Sequence, residues 1–350
     1  MLHSKPTEEM DFVRETDQRR VIFGWGALSS AIGKELARLG VERAMIVTTP
    51  SRADLAAEIA RLVLDRVGIV YPGAQPNAPT DVTEAAITAA SSVKADGLVV
   101  IGGGTAIALS KAIGLRTGLP QVAAPTTFSG VESAPFVSEI ERGARIERPS
   151  ETVLPKVAIY DPELFAQLPP PIAAPSAMNA MANALDALAA PNGASGSTAA
   201  LRAIGSALPR FAADAADAVA WSEAVHGATL LGVGNWPTTL HARLCQALID
   251  AFGLIHANVH CVMLPYTAAL RRNVAPEAMR KAAAAMEVDD VPAALYDLMQ
   301  IAAPRKSLRE MAAPKDALEH LCDRLQGDFE PARRAELLEM LMAAYEGRRP

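Results

Sequence analysis

GLVVIGGGTAIALSKAIGL, residues 97–115, decides the reading of the fold. Its first five residues form a short apolar run rich in valine and isoleucine, the composition of a buried strand. The run ends in Gly102, Gly103 and Gly104, and from Thr105 onward the apolar residues recur at helical spacing. Glycines let a backbone approach a ligand closely, and a helix that starts behind them offers unpaired N–H groups and the positive end of its dipole. Gly102, Gly103, Gly104 and Thr105, with Lys111 inside the helix, are therefore candidate residues for binding a pyrophosphate. The spacing is not G-x-G-x-x-G, so that fingerprint contributes nothing. The competing reading is a glycine turn that only reverses the chain. Strand, glycines and helix coincide at the C-terminal end of a parallel strand, which favours the anion site.

On either side of it, short β-rich runs at 21–23, 44–49, 68–71, 97–101 and 121–124 alternate with helical stretches such as SRADLAAEIARLVLDRV and PTDVTEAAITAASSV. Strands separated by helices of that length imply crossover connections, hence a parallel sheet with helices on both faces. FVSEIERGARIERPSETVLPKVAIYD breaks the alternation and reads as a β-hairpin around Arg142-Gly143 followed by a last strand, VAIY, at 157–160. Beyond Leu164 the chain becomes Ala- and Leu-rich with little β character, interrupted by PNGASGS at 191–197, a loop by its turn chemistry. The expected organisation is an α/β dinucleotide-binding domain over 1–162, built on a parallel sheet, followed by an all-α domain over 163–350. A length of 350 residues suits two cores better than one.

Composition narrows the partners. A net charge of −6 argues against nucleic acid, whose phosphates need a basic surface. No apolar run approaches the roughly 18–20 residues of a membrane span. The N-terminus MLHSKPTEEMDF lacks an apolar targeting core. Cys245, Cys261 and Cys322 are widely spaced without C-x-x-C, which fits buried thiols in a reducing compartment. A cytoplasmic protein acting on a small molecule is expected, with no nucleic-acid or membrane partner.

Two further loops fall at strand ends. Gly24 and Gly26, in FGWG after the first strand, mark another close approach of backbone to some group. Thr126 and Thr127 lie in APTTFSG after the fifth strand, which offers hydroxyls and flexible backbone. Three such loops at one sheet edge point to a nucleotide.

VIFGWG, VIGGGTAIALSKAI, PTTFSG and YDPEL, in that order, resemble the iron-containing alcohol dehydrogenase superfamily, which has the dehydroquinate synthase-like fold. LPKVAIYDPELFAQLPP, SAMNAMANALDAL and LLEMLMAAYEGRRP are similar to its maleylacetate reductase branch, so the resemblance runs from Arg20 to the C-terminus. It implies a dinucleotide domain, a helical domain, a cleft between them and a homodimer. It also implies that Gly102, Gly103, Gly104 and Thr105 hold the NAD(P) pyrophosphate, with Thr126 and Thr127 toward the nicotinamide.

Cofactor preference follows from charge. An acidic residue after the second strand ordinarily binds the ribose and repels a 2′-phosphate. Thr49 stands there, so NADP is accepted as well as NAD, and Arg52 is placed to pair with the phosphate. Arg52 reads equally well as the start of a solvated helix.

Residues 240–260 hold three of the six histidines and invite a metal reading. Metal-dependent members of the superfamily grip a divalent ion with an aspartate and a histidine four apart on one helix, plus two histidines fourteen apart; the ion polarises a carbonyl for hydride transfer. The matching positions here are Asn179, Asn183, Ala242 and His256. His241 is one residue off, a rotation of about 100° on a helix. His260, four after His256, shares its face, yet amides and isolated imidazoles make a weak site. No metal is expected, and Cys245 reads as a small buried hydrophobe.

The residues then support a metal-independent NAD(P)H-dependent reductase of a small oxo acid or related carbonyl or enoate. Asn179, Asn183, Gln246 and His256 would hydrogen-bond the developing oxyanion. His256 or His241 would supply the proton, and Arg243 would hold a carboxylate unless it is simply a surface residue. Two other readings are a non-redox lyase, isomerase or cyclase, and a catalytically inactive homologue.

Overall fold

The computed structural model describes residues 11–16, 19–190, 196–232, 239–325 and 334–350. The acidic N-terminal stretch to residue 10 and most of the expected loop at 191–197 lie outside them. Two compact units divide the chain, the first ending at Gln167 and the second beginning at Leu168.

The first unit carries nine strands among the described residues: β1 Phe12–Glu15, β2 Arg20–Phe23, β3 Ala44–Val47, β4 Val67–Tyr71, β5 Gly97–Gly102, β6 Gln121–Pro125, β7 Phe136–Glu141, β8 Ala144–Pro149 and β9 Val157–Tyr160. Seven of them make one sheet in the order β1-β2-β9-β6-β5-β3-β4, and β7 and β8 pair separately as the expected hairpin. Every pairing in the large sheet is parallel except β1 with β2. β3, β5, β6 and β9 are buried along their whole length, which is why they read as unbroken apolar runs.

Five helices accompany them: α1 Ala27–Arg38, α2 Ala53–Leu62, α3 Thr80–Ser92, α4 Gly104–Thr117 and α5 Pro162–Ala166. Leu28, Ile32 and Leu36 of α1 and Ile59 of α2 pack with Ile46, Val99 and Ile101 on one face of the sheet. Val82 and Ala86 of α3 and Ile107 and Ile113 of α4 pack with Met45, Val47, Leu98 and Val100 on the other. Alternate strand residues thus feed opposite cores. β1 is absent from the sequence expectation: FVRE is a short edge strand with three exposed residues, too weakly patterned to register.

The second unit is helical among the described residues: α6 Pro170–Ala189, α7 Ser197–Ala213, α8 Ala218–Thr229, α9 Leu240–Phe252, α10 His256–Val274, α11 Pro276–Met286, α12 Val291–Ala302, α13 Lys315–Leu325 and α14 Arg334–Glu346. α10 packs against α6, α9 and α12. Among the described residues, no helix is long and apolar enough to cross a membrane.

Candidate functional site

In the first unit, parallel strands bring the loops after β3, β5 and β6 to one sheet edge. Gly102 has φ +155, where a side chain is rarely found, and a Cβ there would stand 2.8 Å from Ala106 Cβ. A Cβ on Gly103 would meet Thr127 Oγ1 and Cγ2 at 2.8 Å, and one on Gly104 would meet Val131 Cγ2 at 3.2 Å. The three glycines therefore let the β5–α4 turn nest against the 126–131 loop. Thr126 N donates to Gly102 O at 3.0 Å and ties the loops together. No side chain caps α4, so the amides of its first turn face outward for an anion. Beside them lies Ser129 Oγ, buried and without a hydrogen-bond partner among the described residues. An orphaned buried hydroxyl is costly, and here it borders a helix N-terminus suited to a phosphate. Ser129 was legible only as one of the hydroxyls in PTTFSG.

Three of the expected cofactor residues have partners within the protein. Lys111 is buried in α4 and donates from Nζ to Val131 O at 3.0 Å and Ala134 O at 2.5 Å. It braces the 131–134 turn and does not reach the helix N-terminus. Burial pulls its pKa down to about 7, with the nearby Glu132 carboxylate pulling the other way. Gly26 N donates to Asp161 Oδ1 at 2.9 Å, so that amide is committed within the protein. Gly24 is approached by this chain's own Asp11, whose carboxylate a Cβ would meet at 2.7 Å. Thr49 and Arg52 follow β3 in the chain. Arg52 borders a depression of about 500 Å³ with Ser51, Asp54, Glu58, Arg61 and Gln167.

The Lys111 environment has a measurable consequence. A folded-state pKa near 7, below the usual 10.5, means that the unfolded chain holds one more proton between those values. Stability should therefore rise with pH across that window, by up to about 1.4 kcal/mol per pH unit from this group. Denaturant titrations of wild type and Lys111→Met at pH 7 and pH 10 check it: the difference between the two proteins should change with pH.

Asp161 is a residue that sequence reasoning passed over. It accepts from Gly26 N at 2.9 Å, Leu28 N at 3.0 Å and Glu163 N at 3.1 Å, so one carboxylate serves the starts of both α1 and α5. Burial raises its pKa to about 6, while the three amides oppose the shift. Asp161→Ala strands those amides and is expected to cost about 3 kcal/mol, read as a lower denaturant midpoint.

In the second unit the histidines fall on α9 and α10. His241 Nδ1 lies 2.8 Å from Thr267 Oγ1, and His241 Nε2 lies 3.0 Å from His260 Nδ1. Thr267 Oγ1 is 3.1 Å from both Met263 O and Leu264 O, so its hydroxyl donates to those carbonyls. Its lone pair then accepts Nδ1–H of His241, which leaves His241 Nε2 unprotonated. Cys245, one turn along α9, has Sγ 3.7 Å from that same Nε2. Burial holds His241 down to a pKa of about 4 and His260 well below the usual range, and it pushes the Cys245 thiol up.

His256 is exposed at the start of α10, its ring 4.3 Å from that of His260. His241, expected as a possible proton donor, is instead buried, neutral and engaged with Thr267. Gln246 Nε2 donates to Asp250 Oδ1 at 2.7 Å on its own helix, which draws that amide away from the oxyanion role assigned to it. Asn179 is buried and Asn183 half-buried on one face of α6; Arg243 is half-buried on α9. The same face of α6 carries Asp186, which pairs with Arg271 of α10 and accepts from Thr239 Oγ1 at 2.7 Å.

The expectation of no metal is corrected in one respect. His241, Cys245 and His260 are all buried, and their ligand atoms lie within 4.8 Å of one another. Spacing alone placed His241 off the family's register and treated Cys245 as packing; helix packing brings both to His260.

The parallel-sheet unit thus carries a helix N-terminus without a side-chain cap, and the helical unit carries a histidine cluster. The comparisons assign the family. Residues 18–162 match the iron-containing alcohol dehydrogenase family and residues 173–345 match its C-terminal domain. The chain belongs to the iron-containing alcohol dehydrogenase family and is an oxidoreductase. It is similar to maleylacetate reductase of Pseudomonas aeruginosa, 36% identical over 97% of this chain and 99% of that protein. Its fold matches the crystal structure of maleylacetate reductase from Agrobacterium tumefaciens with a TM-score of 0.89 at 31% identity, covering 97% of this chain and 99% of that one. The corresponding Rhizobium structure gives 0.88 at 32% identity, with the same coverage.

The residues fit a dinucleotide: the uncapped start of α4 and the orphaned Ser129 hydroxyl suit a pyrophosphate. They do not fit the family's iron. Two amides, a methyl group and one exposed imidazole at Asn179, Asn183, Ala242 and His256 lack a carboxylate and the paired histidines.

Proposed function

We propose that this chain uses NAD(P)H to reduce a small oxo acid of the maleylacetate kind, without iron at the family's ligand positions. The observation that carries the reading is the anion cradle at the start of α4, with the unpartnered Ser129 hydroxyl beside it, in a chain related to maleylacetate reductases along nearly its full length. The bound nicotinamide supplies the hydride. The amides of Gly104 and Thr105 and the Ser129 hydroxyl hold the pyrophosphate, while Thr126 and Thr127 lie toward the nicotinamide. With Thr49 where a carboxylate would repel a 2′-phosphate, and Arg52 at the rim, NADPH is accepted. Asn179 and Asn183 donate hydrogen bonds to the oxygen that gains charge. His256, the exposed imidazole, delivers the proton, and Arg243 holds a substrate carboxylate. Hydride and proton together saturate one C=C or C=O bond.

The test is anaerobic NADPH oxidation with maleylacetate and a panel of related oxo acids, run with NADPH deuterated at C4. Deuterium in a reduced product supports the proposal. Absence of NADPH-linked reduction across the panel by a protein that binds NADPH refutes it.

A further inference from the structure

Of the side-chain clusters outside the iron positions, the one at the α9–α10 interface is built most like a ligand set. We infer that His241, Cys245 and His260 form a binding site for a zinc-class ion, distinct from the position the family uses for iron. The donors are two imidazoles and a thiol, the borderline-soft set that zinc prefers and hard oxygen-seeking cations do not. Tetrahedral zinc with the usual bond lengths separates two nitrogens by about 3.3 Å and a nitrogen from a sulfur by about 3.6 Å. The His241 Nε2–His260 Nδ1 separation is 3.0 Å and the His241 Nε2–Cys245 Sγ separation is 3.7 Å. The third edge, between Cys245 and His260, lies within 4.8 Å.

The surroundings prepare the ligands. Thr267 holds the proton of His241 on Nδ1, the second-shell arrangement that fixes a metal-binding imidazole with Nε2 directed inward. His241 and Cys245 share one face of α9 a turn apart, and His260 comes from α10, so the ion would pin the two helices together. Binding converts the Cys245 thiol to a thiolate and releases its proton to solvent, while the proton that His260 Nδ1 donates to His241 Nε2 in the empty site moves to His260 Nε2. Three protein ligands leave one coordination position for water. Of the family's four iron positions, none contributes a donor to this set.

The full-length protein, expressed with zinc or with cobalt as the supplemented metal, tests the site without reference to turnover. About one zinc per chain is expected, along with a cobalt–thiolate charge-transfer absorption in the near ultraviolet. Cys245→Ser should remove that absorption, and Cys245→Ser and His260→Asn should each lower the zinc content at least 10-fold. His256→Ala should retain the metal. Wild-type protein without zinc, or with cobalt bound but no thiolate absorption, overturns the inference even if the variants do not fold. So does metal that survives Cys245→Ser and is lost in His256→Ala, which would place the ion at the family's position.

Discussion

Replacing Gly104 with aspartate is expected to weaken NADPH binding by at least about 100-fold, or about 2.7 kcal/mol, while the protein remains folded. Gly104 is the first residue of α4 and no side chain caps that helix. A carboxylate there would take the amides and the dipole end that a pyrophosphate needs, and would repel its charge. The same carboxylate is favourable to the helix itself, so thermal stability should hold or rise slightly. The added Cβ would stand 3.2 Å from Val131 Cγ2 and 3.4 Å from Ser129 Oγ, so the Val131 side chain must give by a few tenths of an ångström. Gly104→Ala, which adds only that Cβ, should change binding by no more than a few-fold. Fluorescence titration of NADPH reads both variants, and near-normal binding by Gly104→Asp would place the pyrophosphate elsewhere.

Asp186→Ala should be the most damaging single change in the helical unit. Asp186 pairs with Arg271, whose side chain is only 11% exposed, and receives the Thr239 hydroxyl at the start of α9. Removing one member of a buried pair leaves an uncompensated charge, at about 3–5 kcal/mol. For a unit of this size that corresponds to a melting point lower by about 10 °C. The double change Asp186→Ala with Arg271→Met removes both charges and should recover much of the loss. Equal melting points for wild type and Asp186→Ala would show that the α6–α10 pair carries no such weight.

The βα alternation and the triple glycine were legible because both are local: apolar runs of strand length, glycines and helical periodicity sit side by side in residues 97–115. What glycine conservation of space serves was not legible. Gly24 and Gly26 signal a backbone constraint without saying which: a Cβ on Gly24 would meet Asp11 of the same chain, whereas Gly26 takes a left-handed φ of +74 and its amide donates to Asp161. Lys111 sits two turns into α4 and looks like a phosphate ligand until the loop it braces is folded over it. The His241–Cys245–His260 set was missed for a related reason. Counting from the family's positions fixes a register along one helix, whereas this cluster depends on how α9 and α10 pack. Asp161 and Asp186 lie in YDPEL and SAMNAMANALDAL, but no spacing gave them a role; their importance comes from burial and from partners distant in sequence.

The rate of maleylacetate-dependent NADPH oxidation as a function of iron content, in zinc-buffered solution, distinguishes iron-free reduction from iron-dependent reduction. Preparations stripped of iron and preparations loaded anaerobically with Fe(II) are compared, with bound iron measured in each. With Asn179, Asn183 and Ala242 at three of the family's four ligand positions, the same turnover is expected in both. Turnover that rises in proportion to bound iron and vanishes without it would contradict it.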